Sequence, residues 1–372
     1  MDILFDHQIF SSQKYGGISR YFNELIIGLN HEKDINAQVS LLFSNNHYIN
    51  DNHFVKYYNF LSNAEFRGKV KLMTKLNEMY FISKLKKKYD IFHPTYYNPY
   101  FLKYLKNKPF VLTVHDMIHE KFNIMFSKSD KTSEQKKFLA KKSSKIIAVS
   151  NNTKKDLIEL FDIKDSKIEV VYLGNSLLQN STSRTWFNVL IPSKYILFVG
   201  GRKGYKNFEN FIKSIITILK NDLNIYVVCI GGGTFNNYEI EMLKSLGVIN
   251  KILQYDVKDE DLSYFYRNAS AFVFPSLYEG FGIPILEAFA CNCPVLCSNT
   301  SSFPEIAGEG ALYFDPYSTE SIKNAINNIL NNVDIRYKLI ENGRRRLELF
   351  SWSKMTLQTR NVYESILSWK LL

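Results

Sequence analysis

The sequence predicts an α/β protein made of two units, each a doubly wound parallel sheet with helices on both faces. Three observations predict it. Short apolar runs with strand character alternate with helical stretches along the chain, the pattern of a parallel sheet covered on both sides. The alternation stops in the polar stretch 174–193, which has no clear periodicity, and restarts at Tyr195. That break places a domain boundary, giving residues 1–180 and 181–352 as the two domains. Glycine-containing loops follow several strand candidates, and such sheets bind ligands at those strand ends. A chain of 372 residues is too long for one typical core and suits two.

The first strand, Ile3–Phe5, starts almost at once. Met1–Asp6 has no basic leader and no long apolar segment, so it is not a signal peptide. No apolar run is long enough to cross a bilayer, and the chain is expected to be cytoplasmic. Gly16-Gly17 precedes a helix with apolar residues at 21, 22, 25, 26 and 29. Such a pair lets a backbone approach a diphosphate closely; a plain turn is an equal reading. Strand candidates then recur at Ala37–Leu42, Ile91–His93, Phe110–Val114, Ile146–Val149 and Ile168–Val171. His115-Asp116 follows one of them directly, which puts His115 on the ligand-binding edge of the sheet. Ser150 to Thr153 provides an N-cap for the helix ending at Phe161.

The second half opens with the strand Tyr195–Gly200 and the loop Gly201-Arg202-Lys203-Gly204-Tyr205-Lys206, and Asn207 is read as the cap of the next helix. Three cations at a helix start oppose its dipole. A phosphate between Arg202 and Lys206 removes the conflict. The loop is not a P-loop, and no dinucleotide fingerprint is present. The strand Ile225–Ile230 ends in Gly231-Gly232-Gly233. After Ile252–Tyr255 comes the densest stretch, Ala271 to Glu287. Its parts are a buried strand to Phe274, a turn ending in Glu279, the loop Gly280-Phe281-Gly282, and a helix opened by Pro284 with Glu287 in its first turn. Two carboxylates for sugar hydroxyls and a glycine-rich helix N-terminus for an anion point to a nucleotide sugar. Glu287 alone reads equally well as complementation of the helix dipole. Further strands at Pro294–Cys297 and Gly310–Asp315 precede a helical tail that ends with Trp352–Leu371.

The net charge of +11 is uneven. Residues 1–180 hold 27 basic against 18 acidic side chains. A basic half suits nucleic acid, an anionic membrane surface or an anionic acceptor, but no nucleic-acid reading motif accompanies it. The densest runs are Phe66–Lys75, Lys84–Lys88 and Lys136–Lys145. Each suits a solvated helix face, and Val70–Leu85 also suits a basic amphipathic helix on a membrane. Cys291, Cys293 and Cys297 cluster, but all seven histidines lie before residue 120. No zinc set results, so the cysteines are read as small buried residues. No metal and no other cofactor is expected.

Glu279 and Glu287, seven residues apart in Ser276-Leu-Tyr-Glu-Gly-Phe-Gly-Ile-Pro-Ile-Leu-Glu-Ala288, resemble the Glu-x7-Glu signature of the GT-B, family 4 retaining glycosyltransferases. Tyr15-Gly-Gly-Ile-Ser-Arg20, Val114-His-Asp116, Ile147-Ala-Val-Ser-Asn151, Val171-Tyr-Leu-Gly-Asn175, Phe198-Val-Gly-Gly-Arg202 with Lys206-Asn207, Pro304-Glu-Ile-Ala-Gly308 and Phe350-Ser-Trp352 fall in the family's order. The resemblance implies two Rossmann-like domains facing across a cleft, with residues 353–372 crossing back to the first. It implies that Arg202 and Lys206 bind the donor diphosphate, and that Glu279 and the amides of Gly280, Phe281 and Gly282 meet the donor sugar. Glu287 takes the ribose, Val257 lines the donor site, Gly16 and Gly17 close over the phosphates, and His115 contacts the sugar. The activity implied is metal-independent, retaining hexosyl transfer from a nucleotide sugar, mannosyl first, to a lipid-linked or glycan acceptor of cell-surface polysaccharide. A nucleotide-sugar epimerase and a non-catalytic sugar-nucleotide-binding protein are the alternatives on the same fold.

Overall fold

The computed structural model describes residues 1–50, 52–61, 64–85, 88–175 and 191–368. The chain divides into two compact units, Met1–Leu173 with Trp352–Leu372, and Gly174–Ser351. The boundary expected at 180 lies outside the described residues, as do Lys86 and Lys87 of one basic run and the end of the last helix.

The first unit holds β1 (Asp2–Phe5), β2 (Asn36–Val39), β3 (Phe43–Ser44), β4 (Tyr58–Asn59), β5 (Ile91–His93), β6 (Val111–Val114), β7 (Lys145–Ala148) and β8 (Ile168–Val170). The parallel sets β2-β1-β5 and β6-β7-β8 meet at a parallel bridge between Phe92 and Phe110. The central strands β5 and β6 are buried along their whole length, as covered parallel strands require, whereas the outer strands β2 and β8 expose Asn36, Gln38 and Glu169. β2 stops earlier than its apolar run suggests. On the helix Lys69–Lys84, Asn77 Oδ1 accepts the amides of Leu42 at 3.0 Å and Phe43 at 2.8 Å, which turns the chain off the sheet. That helix packs through Lys69, Met73, Asn77 and Phe81, at four-residue spacing. Val70, Leu72 and Met79 are left exposed beside Lys71 and Lys75.

The helix Trp352–Ser368 packs on Gly17–His31 within this unit. The two come close because Gly28 has no Cβ; one built there would lie 2.2 Å from Thr356 Oγ1. Their junction carries a buried polar network. Tyr363 Oη bonds His93 Nδ1 at 2.7 Å, and His93 Nε2 bonds Thr113 Oγ1 at 2.9 Å. Tyr21 Oη reaches the same threonine at 3.1 Å.

The second unit is one parallel sheet of β9 (Lys194–Val199), β10 (Ile225–Ile230), β11 (Ile252–Tyr255), β12 (Ala271–Phe274), β13 (Val295–Ser298) and β14 (Ala311–Phe314). Its order is β11-β10-β9-β12-β13-β14. The helices Phe208–Asn221 and Thr319–Asn331 cover one face, burying Phe211, Ile215, Ile322 and Ile326 on Phe198 and Val227. The four cysteines are buried free thiols. Burial pushes Cys229 up to about 12 and Cys291 to about 11, so both stay protonated. No helix among the described residues is long and apolar enough to cross a membrane.

Candidate active site

Strand order in the second sheet reverses between β9 and β12, the switch point where such sheets bind ligands. Two loops leave the sheet there, Gly200–Asn207 after β9 and Pro275–Gly282 after β12. The Leu277 amide donates to Tyr205 O at 2.7 Å and joins them. Asn207 is the N-cap residue of the following helix, as the sequence predicts, but its side chain makes no capping bond. Its φ of 59° is left-handed and turns the amide group away. Asn207 Nδ2 donates to Pro275 O at 3.1 Å and Pro316 O at 2.8 Å instead, so this residue stitches loops together.

Across the two loops Lys206 Nζ donates to Glu279 Oε1 at 2.6 Å. Both side chains keep some exposure, 20% and 13%. A strong charge-assisted bond in a partly dry setting thus remains open to a ligand that offers each charge a new partner. The Glu279 backbone is fixed from behind. Its amide donates to Ser301 Oγ at 3.1 Å, the same hydroxyl donates to its carbonyl at 2.5 Å, and Ser302 Oγ lies 3.0 Å from that carbonyl. Ser302 Oγ also donates to Phe281 O at 2.8 Å, and Thr300 Oγ1 to Leu277 O at 3.1 Å. The sequence marks these hydroxyls only by their clustering, Thr300-Ser301-Ser302, shortly after a strand. The Phe281 ring is buried against Phe350.

The helix Ile283–Ala290 has Pro284 as its second residue and Glu287 as its fifth. Glu287 was expected in the first turn and lies beyond it, so dipole complementation does not account for it. Glu287 is buried, and Tyr266 Oη donates to its Oε2 at 3.1 Å. Burial, then the Glu287 charge, holds the Tyr266 hydroxyl well above its ordinary range, so it stays a donor. Tyr266 had no distinguishing signal in the sequence. Val257 follows the edge strand β11, two strands from β9.

Arg202 is placed differently from the expectation. Its side chain, 2% exposed, donates through Nε to Glu239 Oε1 at 3.0 Å. Nη1 reaches Gly231 O at 2.7 Å and Nη2 reaches Gly233 O at 2.8 Å. The crowding of cations at the helix start is resolved within the protein. Arg202 is paired with Glu239, Lys206 with Glu279, and Lys203 faces solvent.

In the first unit His115 follows β6, its ring edge-on to Tyr21 at 5.0 Å and near Phe22 at 5.8 Å. Its amide donates to Tyr97 Oη at 3.1 Å. Its Nε2 is buried without a hydrogen-bond partner. Burial depresses its pKa to about 4, with Asp116 opposing and Lys136 assisting, so the ring is neutral near pH 7. Lys136 anchors the same corner. Its fully buried Nζ donates to Asp116 O and Glu120 Oε2, both at 2.9 Å. Gly16 is the N-cap of the helix Gly17–His31, and Gly17, which the sequence places before it, is its first residue.

Residues 15–176 match the family described as Glycosyltransferase Family 4, and residues 187–346 match Glycosyl transferases group 1. The chain belongs to the group 1, family 4 glycosyltransferases. It is 31% identical over 230 residues to O-antigen chain mannosyltransferase B of Escherichia coli, covering 59% of this chain and 60% of that protein. It is 31% identical over 195 residues to O-antigen chain mannosyltransferase RfbU of Salmonella typhimurium, covering 52% and 53%. The matched stretches thus span little more than half of these two relatives. Sucrose-phosphate synthase from Thermosynechococcus elongatus superposes with a TM-score of 0.79 at 19% identity, covering 99% of each chain. Anabaena HepE, solved with UDP and glucose, gives 0.74 at 14% identity, covering 98% of this chain and 99% of that one. The fold is GT-B, and this glycosyltransferase is a transferase enzyme.

Proposed function

We propose that this glycosyltransferase moves a hexosyl group, mannosyl first, from a nucleoside-diphospho-sugar to a membrane-linked glycan or lipid acceptor in cell-surface polysaccharide synthesis. The observation that carries the reading is the Lys206–Glu279 pair at the switch point of the second sheet. A diphosphate displaces Glu279 from Lys206, and the ammonium then stabilises charge that develops on the leaving group. Glu279, released, accepts hydrogen bonds from sugar hydroxyls. Glu287, held by Tyr266, accepts them from the ribose. His115 is the first unit's candidate for a sugar hydroxyl, because its neutral ring has a buried nitrogen to offer. In the reaction the bond from the anomeric carbon to the diphosphate oxygen breaks, and a bond to the acceptor oxygen forms on the same face. The acceptor's proton passes to the departing phosphate oxygen. Lys206 supplies the charge for this without a metal.

Mannosyltransferases among the relatives support the choice of sugar. The basic first half, +9 by count, supports a peripheral site on the anionic inner face of the cell membrane. The test is a thermal-shift panel of GDP-mannose, UDP-glucose, UDP-N-acetylglucosamine and dTDP-rhamnose in EDTA, followed by transfer assays with anionic vesicles carrying lipid-linked saccharides. GDP-mannose is expected to stabilise most, by mass action. Stabilisation only with added divalent metal would overturn the metal-free reading. Conversion of the sugar nucleotide with no acceptor present would establish the epimerase instead.

A further inference from the structure

We propose that Arg202 and Glu239 form a clip that positions the donor loop, with Glu239 a positioning residue for transfer and Arg202 bound to the protein rather than to the donor. This rests on the reading of Lys206 as the diphosphate contact.

All three guanidinium nitrogens are engaged. Besides the bonds already described, Nη2 lies 3.2 Å from Thr234 O, 3.3 Å from Glu239 Oε2 and 3.4 Å from Gly232 O. The guanidinium carbon also sits 4.7 Å from the Phe235 ring centre. A fork this occupied and this buried has to leave several acceptors to meet a phosphate, and each acceptor it leaves loses a charge-assisted bond.

The acceptors share a purpose. They are successive carbonyls of the turn Gly231–Thr234, which follows β10. Arg202 itself belongs to the turn after β9 that leads to Lys206. The guanidinium therefore fastens one turn to the other. The backbone is built for that closeness. At Gly232, φ is +75°, and a Cβ there would lie 2.8 Å from Arg202 Nη1 and 3.2 Å from Gly200 O. Glu239 completes the clip from a helix. Its Oε2 accepts the Asn236 amide at 2.8 Å, and its own amide donates to Asn236 Oδ1 at 3.0 Å. This capping box fixes the carboxylate before it meets Arg202. The order of dependence is the helix cap, then Glu239, then Arg202, then the path of residues 200–206, then Lys206.

The test compares the parent with Glu239→Gln, Arg202→Lys and the double variant. Hydrogen exchange is read on the ligand-free full chain, and GDP and UDP are titrated into each. The clip predicts faster exchange across 231–236 in both single variants. It predicts a Kd for the bound nucleotide raised roughly tenfold in each, with kcat at saturating donor changed less than about threefold. The double variant should be little worse than either single one, because both break the same unit. Arg202→Lys should fail to rescue although it keeps the charge, because it lacks the fork. If Glu239→Gln leaves affinity unchanged or improves it while Arg202→Lys loses it, Arg202 is a direct donor ligand and the clip is wrong. If neither nucleotide binds the parent, the donor reading fails, and the exchange data alone still decide the clip.

Discussion

Replacing Lys136 with methionine should make the first unit far easier to unfold. The Lys136 side chain is wholly buried and Glu120 is 6% exposed. Methionine fills a similar volume, so the cavity contribution is small. What is lost is the cation between the Asp116 carbonyl and the Glu120 carboxylate. Breaking a buried pair from one side costs about 3–5 kcal/mol, because the remaining charge has no compensation. For a unit of roughly two hundred residues, each kcal/mol moves Tm by about 2–4 °C. The expected fall is therefore about 6–20 °C. Differential scanning calorimetry, with the two units' transitions separated, measures it. The pair Lys136→Met with Glu120→Leu removes both charges and should recover at least half of the loss. A single variant within about 1 kcal/mol of the parent, or a double variant less stable than the single, would refute the reasoning.

Three further outcomes follow from the sites. Glu279→Gln should lower kcat by roughly a hundredfold or more while GDP affinity changes much less, whereas Lys206→Met should weaken both; steady-state kinetics with calorimetric titration separates them. Tyr266→Phe should raise the donor KM by severalfold, the loss of about 1 kcal/mol from one buried hydrogen bond, and Glu287→Ala should raise it further with kcat changed less. Burial depresses His93 to about 3 and His115 to about 4. Between pH 6.5 and about 4 the unfolded chain therefore binds protons the folded chain does not, and stability must fall as pH falls. Each histidine contributes a slope of about 1.4 kcal/mol per pH unit in that window. Urea unfolding from pH 7 to 4.5 reads the slope, and His115→Asn should reduce it by about 1.4 kcal/mol per pH unit.

The fold was legible because a buried parallel strand has few ways to be written. Ala271–Phe274 is apolar throughout, Val111–Val114 is apolar but for Thr113, and both end in polar or proline-bearing turns. The candidate site was legible where chemistry depends on local spacing, as in Lys206, Glu279 and Glu287. It was not legible where the partner comes from a distant part of the chain. Glu239 captures Arg202 from 37 residues away, and nothing in Arg202's own surroundings distinguishes a guanidinium held by protein from one awaiting phosphate. Asn77 ends β2 from 35 residues away, so the apolar run Leu41-Leu42 overstated the strand. Ser301 and Ser302 act through side chain to backbone bonds, which leave no periodic trace.

The helix Trp352–Ser368 brings Tyr363 to His93 and Thr356 to Gly28, yet it is made only after the whole of Gly174–Ser351 has been translated. Synthesis therefore completes the units in reverse order. The second has all of its strands in hand while the first still lacks the helix that covers Gly17–His31. Until Trp352–Ser368 emerges, the nascent first unit presents Gly28, Tyr21 and His93 without that cover, and it is this half-built surface that a chaperone would meet.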